Sequence, residues 1–135
     1  MIHLTETNFV KTEKAFTEIG LRPRLPVDAQ TVFNFRKEYI RDKNLIAWSF
    51  YNPKALYEIV DVIIINDLKT IKVDSINFAG QKIKVASIQD LIKMKSVTGR
   101  SQDIADVETL KELQRHLKIK GGLQNGKKNH TINDK

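Results

Sequence analysis

The chain has 135 residues, 41% of them hydrophobic, which suits one small domain with a modest core. It has no cysteine, which excludes disulfides, thiolate zinc sites and cysteine nucleophiles together, and its formal net charge is +7. No window approaches the ~18 consecutive apolar residues of a membrane span, and Met1-Ile2-His3-Leu4-Thr5-Glu6 lacks the regions of a signal peptide, so a cytoplasmic protein without a membrane partner is expected.

Phe9 to Ile19 carries Phe9, Phe16 and Ile19 at helical spacing and stops at Gly20, which predicts a short amphipathic helix. Leu21 to Val27 contains Pro23 and Pro26 and must run extended. Asp28 is a candidate N-cap for a second helix through about Asp42. Leu45 to Tyr51 alternates Ile46, Trp48 and Phe50 against Leu45, Ala47 and Ser49, a strand that ends at Asn52-Pro53.

Glu58 to Ile65 follows as a β-branched run apolar on both faces, which predicts a central strand. With a side-chain period of two, Asp61 shares a face with Ile59, Ile63 and Ile65. A carboxylate buried there unpaired would cost several kcal/mol, so a Lys, an Arg or a metal ion must meet it. Two readings stay open: a structural Asp held by a basic neighbour, or a metal-ligand or catalytic carboxylate. Residues 76–85 then predict a hairpin turning near Ala79-Gly80.

Ser87 with Asp90 three residues on resembles a capping box and opens a helix to about Thr98, with Gly99 as its stop. At 100° per residue, Ile88, Leu91, Ile92 and Met94 form an apolar arc with Lys95 near its centre. Lys95 either snorkels to the edge or pairs with a buried anion. Ser101 caps a last helix to about Leu117, whose buried face is Val107, Leu110, Leu113 and Leu117. Asp103 and Asp106 fall inside that arc. The helix dipole explains Asp103 but not Asp106, so a polar network with Lys95 and Arg100 is expected. Residues 118–135 hold five Lys against Asp134 alone, with no apolar period. They read as a basic disordered tail following a domain of residues 1–117, usually a plain solvated terminus and less often a nonspecific nucleic-acid contact. His3, His116 and His130 show no ligand spacing.

Val85-Ala86-Ser87-Ile88-Gln89-Asp90-Leu91-Ile92-Lys93-Met94-Lys95, followed by Gly99-Arg100-Ser101-Gln102-Asp103-Ile104-Ala105-Asp106, resembles the C-terminal signature of small prokaryotic nucleotidyltransferases of the DNA polymerase beta superfamily. These include abortive-infection toxins and minimal nucleotidyltransferase proteins. Val60-Asp61-Val62 is similar to the family's third carboxylate, between apolar residues on a central strand. The resemblance covers roughly residues 8–117. It implies transfer of a nucleoside monophosphate from a nucleoside triphosphate to a hydroxyl on RNA, protein or a small molecule. Asp61 would serve as Mg2+ ligand or base, Lys95 and Arg100 would meet the triphosphate, and Asp103 and Asp106 would orient those cations.

The family's first strand and its Gly-Gly or Gly-Ser turn have no counterpart before residue 8, no Asp-x-Asp pair occurs, and Gly121-Gly122 lies in the tail, on the wrong side of the motifs. Asp61 by itself cannot organise two metal ions. The expected fold is therefore α+β, an incomplete nucleotidyltransferase-like domain. Its small mixed sheet would comprise residues 45–51, 58–65 and 76–85, with flanking helices and a C-terminal helix pair. Three functional readings follow: a truncated protein inactive alone, a part completed by an N-terminal partner, or a non-catalytic module binding nucleotide, RNA or protein. The unfilled sheet predicts self-association or a partner at that surface.

Overall fold

The computed structural model describes the backbone of residues 1–126 and the side chains through residue 121. The fold is α+β, with five helices and five strands among the described residues, and it divides into two compact units, residues 1–70 and 71–135. All strand pairs are antiparallel and fall into two separate sheets, one of three strands and one of two. The single mixed sheet expected from the sequence is thus two sheets, one in each unit.

In the first unit, helix α1 spans Glu6–Glu18 and starts three residues earlier than Phe9 because Thr5 caps it, its Oγ1 accepting from the Asn8 N–H at 3.3 Å. The extended segment after Gly20 contributes a two-residue strand, β1, at Arg22–Pro23. Asp28 caps as expected, its Oδ1 accepting from the Thr31 N–H at 2.8 Å. The helix it opens breaks at Phe35 into α2 (Ala29–Asn34) and α3 (Arg36–Lys43). Ala29 and Val32 are buried while Phe35 is exposed, and the Arg36 guanidinium after the break donates to the Ile64 carbonyl at 2.7 Å.

Strands β2 (Ala47–Asn52) and β3 (Ala55–Ile63) complete this sheet in the order β1-β2-β3. The register sets Trp48 opposite Val62, Ser49 opposite Asp61 and Phe50 opposite Val60. Trp48, Phe50 and Val62 are buried in one core with Phe9, Val32 and Ile64. Phe9 stacks on Trp48 at 5.5 Å between ring centroids, and Trp48 meets Phe50 edge-on at 4.6 Å. Each such aromatic pair adds about 0.5–1.5 kcal/mol beyond the burial of its area. A short 3₁₀ turn, Leu68–Thr70, closes the unit.

β3 is an edge strand, not a central one, because β2 is its only ladder partner among the described residues. Leu56, Tyr57, Ile59 and Val60 are exposed along it. A run of β-branched residues marks a strand suited to burial on both faces, and here only Val62 of β3 is buried.

In the second unit, β4 (Val73–Phe78) and β5 (Gln81–Ala86) form the expected hairpin. Its turn has positive φ at both central residues, 48° at Ala79 and 77° at Gly80, as a two-residue type I′ turn requires. Ser87 caps α4 (Ile88–Ser96), its Oγ accepting from the Asp90 N–H at 3.2 Å. The Asp90 carboxylate in turn accepts from the Lys72 N–H at 2.7 Å, which ties the helix to the start of the hairpin. Gly99, at φ 66°, makes the bend before α5.

Helix α5 runs over Ser101–Gly126, nine residues beyond Leu117, so residues 118–126 are helical rather than a disordered tail. Residues 127–135 of that expected tail lie outside the described residues. Val107 is buried on α5 as expected, but Leu113 and Leu117 are about half exposed, since α4 is much shorter than α5. Among the described residues no helix is long and apolar enough to cross a membrane.

Candidate functional site

Asp61 stands on β3 opposite Ser49, whose hydroxyl donates to its Oδ1 at 2.6 Å. The carboxylate is exposed, so the premise that burial forces a cation onto it is corrected. No salt bridge reaches it among the described residues, and its hydrogen bond comes from Ser49. Val60, Asp61 and Val62 line an open depression of about 470 Å³ together with His3 and with Lys11, Thr12 and Phe16 of α1.

The second constellation is built by the bend between α4 and α5. Lys95, in the last turn of α4, places its Nζ 2.6 Å from Asp106 Oδ2 and 3.2 Å from Asp103 Oδ1. Arg100 Nε donates to Asp103 Oδ2 at 2.6 Å, and the Thr98 hydroxyl donates to the same oxygen at 2.6 Å. Gln102 donates to Asp106 Oδ1 at 3.0 Å. Lys95 therefore pairs with anions rather than snorkelling free of them. The sequence arc that turned two acids inward is realised: Asp103 is buried and Asp106 partly so.

The electrostatics follow from this geometry. Hydrogen bonds from Thr98 and Arg100, reinforced by Lys95, hold the Asp103 carboxyl far below the usual carboxylate range against the opposing effect of burial. Lys95 and Gln102 lower Asp106 in the same way. Asp106 and Asp103 raise the Lys95 ammonium above its ordinary value. All four groups are charged at neutral pH, two of each sign. The cluster is neutral as a whole, yet Arg100 keeps most of its side chain in water, 68% exposed.

Thr98, Gln102 and Ser49 belong to these networks without having been singled out in the sequence. Thr98 precedes the turn-forming Gly99, where a hydroxyl can reach back to the next helix start. Ser49 lies on an alternating strand, and only the pairing register shows that it faces Asp61. Asp61 belongs to the first unit, whereas Lys95, Arg100, Asp103 and Asp106 belong to the second.

A two-ion centre needs several bridging carboxylates. Among the described residues no three of His, Cys, Asp and Glu are grouped to hold a metal ion. The donor set these residues offer does not fit the Mg2+ pair that the resemblance implies. Comparison with family models, with curated proteins and with solved structures gives no match.

Proposed function

We propose that this chain is a nucleotidyltransferase-like protein that binds a nucleoside triphosphate weakly and performs no transfer with its own carboxylates alone. The observation that supports this reading most is the convergence of Lys95, Arg100, Asp103 and Asp106 at one helix bend, the residues that the resemblance groups. Arg100 offers an exposed fork to phosphate oxygens, and Lys95 adds charge beside it. Because Asp103 and Asp106 already neutralise both cations, the net attraction for a free triphosphate is small. Transfer to a hydroxyl on RNA, protein or a small molecule would need carboxylates supplied by a further segment or another chain. Asp61 would be this chain's contribution to such an assembly.

The free edge of β3 is the natural seat for that contribution. A strand added there would form a ladder with Ala55–Ile63 and bring its side chains beside Asp61. The same edge would support self-association when no such strand is present.

Nucleotide binding tests the reading directly. Titrating labelled adenosine, guanosine and uridine triphosphates into the chain should give dissociation constants on the order of 1 mM, about 4 kcal/mol. Binding should weaken with salt and further on Arg100→Ala. Unchanged affinity in Arg100→Ala would remove the triphosphate from this cluster.

A further inference from the structure

Helix α5 changes character along its length. Around the bend each cation is matched: Lys93 by Asp90, Lys95 by Asp103 and Asp106, and Arg100 by Asp103. Beyond Leu110 the balance is lost. From Lys111 to the C-terminus there are seven Lys and Arg against Glu112 and Asp134, so this stretch carries +5 of the chain's +7. At 100° per residue, Lys111, Arg115 and Lys118 fall within about 60° of one another and rise along one face over roughly 10 Å. All three are exposed. Lys111 meets Glu108 at 3.3 Å, a solvent-exposed pair of little strength, and no salt bridge reaches Arg115 or Lys118 among the described residues.

We infer that this face of α5 is a docking surface for the phosphodiester backbone of nucleic acid. A row of exposed cations on a helix, of which only Lys111 has an acid partner among the described residues and that a weak one, matches a polyanion with a charge every few ångström. The arrangement does not fit a membrane surface. Such a helix needs a broad, free apolar side, whereas here the stripe of Leu110, Leu113 and Leu117 is only partly exposed, Lys120 lies beside Leu113 on the wheel and Ile119 lies outside the stripe. Base edges are not addressed by such a row, so the surface binds RNA and DNA through backbone charge without sequence preference. This inference is independent of nucleotide binding at Lys95 and Arg100.

Fluorescence anisotropy with labelled single-stranded RNA, single-stranded DNA and duplex DNA of about 20 nucleotides tests it on the full chain. Three phosphate contacts give a slope of log K against log salt of roughly −2 for single strands and −3 for duplex. Affinity should then fall about 20- to 40-fold between roughly 50 and 200 mM salt. The triple variant K111Q/R115Q/K118Q should lose most of that slope while keeping its circular dichroism spectrum. The variant K37Q/K43Q/K54Q removes the same charge elsewhere and should keep the slope. Equal losses in the two variants would reduce the effect to diffuse charge and overturn the assignment. So would an unchanged slope in the first variant, absence of binding at low salt, or binding to phosphatidylserine vesicles in place of nucleic acid.

Discussion

Lys95 holds Asp103 across the bend between α4 and α5, Nζ to Oδ1 at 3.2 Å, and this contact joins the end of one helix to the first turn of the next. Asp103 also receives Thr98 and Arg100, which makes it the most connected carboxylate among the described residues of the second unit. A buried carboxylate with three donors stabilises the bend only while every donor is present.

Asp103→Ala should loosen the helix pair more than Asp106→Ala does. The first removes the buried acceptor shared by Lys95, Thr98 and Arg100 and leaves Lys95 with Asp106 alone, while the second removes a partly buried acid bonded by Lys95 and Gln102. Amide hydrogen exchange over residues 88–117 should accelerate in that order, with residues 47–63 of the first unit unaffected. Equal effects would show that Asp103 and Asp106 share the pairing alike, and a larger effect of Asp106→Ala would show that Asp106 carries it.

Acidity should act on the same place. The folded state lowers the Asp103 and Asp106 carboxyls below their ordinary 3.8, so their stabilisation is complete above that value and is lost as pH falls through the lowered ones. Lys95 is raised above 10.5, so its share is complete below 10.5 and is lost as pH rises beyond. Stability of the second unit should therefore be flat between about pH 5 and 9 and decline on both sides. In Asp103→Asn the acid limb should shrink, read by thermal melts across pH.

Asp61→Asn should change folding stability by no more than about 0.5 kcal/mol, because the carboxylate is exposed and, among the described residues, only the Ser49 side chain bonds it. A loss of several kcal/mol in denaturant unfolding would restore the buried-charge reading.

The aromatic core should respond very differently. Phe9→Ala should cost about 3–5 kcal/mol, since the ring is fully buried and touches Trp48 and Phe33. Trp48, the single tryptophan, reports the transition by its own fluorescence.

Local signals were legible in the sequence wherever one or two residues decide a conformation. Asp28 and Ser87 cap their helices, Gly99 takes the left-handed bend, and Ala79-Gly80 turns the hairpin. The inward pair Asp103 and Asp106 was legible because helical period alone sets which face they share. What failed depends on neighbours distant in sequence. Residues 58–65 have the composition of a buried strand, but only pairing shows that β3 lies at an edge and leaves Asp61 in water. The hairpin has the same strand character as β2 and β3, yet register alone assigns it to a sheet of its own. Residues 118–126 lack an apolar period but continue a helix already nucleated, where adding a residue is cheap.

The free edge of β3 should make the chain associate as concentration rises, with Leu56, Ile59 and Val60 exposed along it. Ile59→Lys places a charge on that edge and should reduce the association, measured by light scattering. Association unaltered by that substitution would place the contact elsewhere.

The most direct measurement is nucleotidyl transfer itself. The chain is incubated with radiolabelled nucleoside triphosphates, magnesium or manganese, and total RNA, and the RNA and protein fractions are counted. No incorporation by this chain alone, gained only when a segment bearing paired carboxylates is added and lost again in Asp61→Ala, is the expected result. Robust incorporation by the chain alone that disappears in Asp61→Ala would contradict it, since one exposed carboxylate would then suffice for the chemistry.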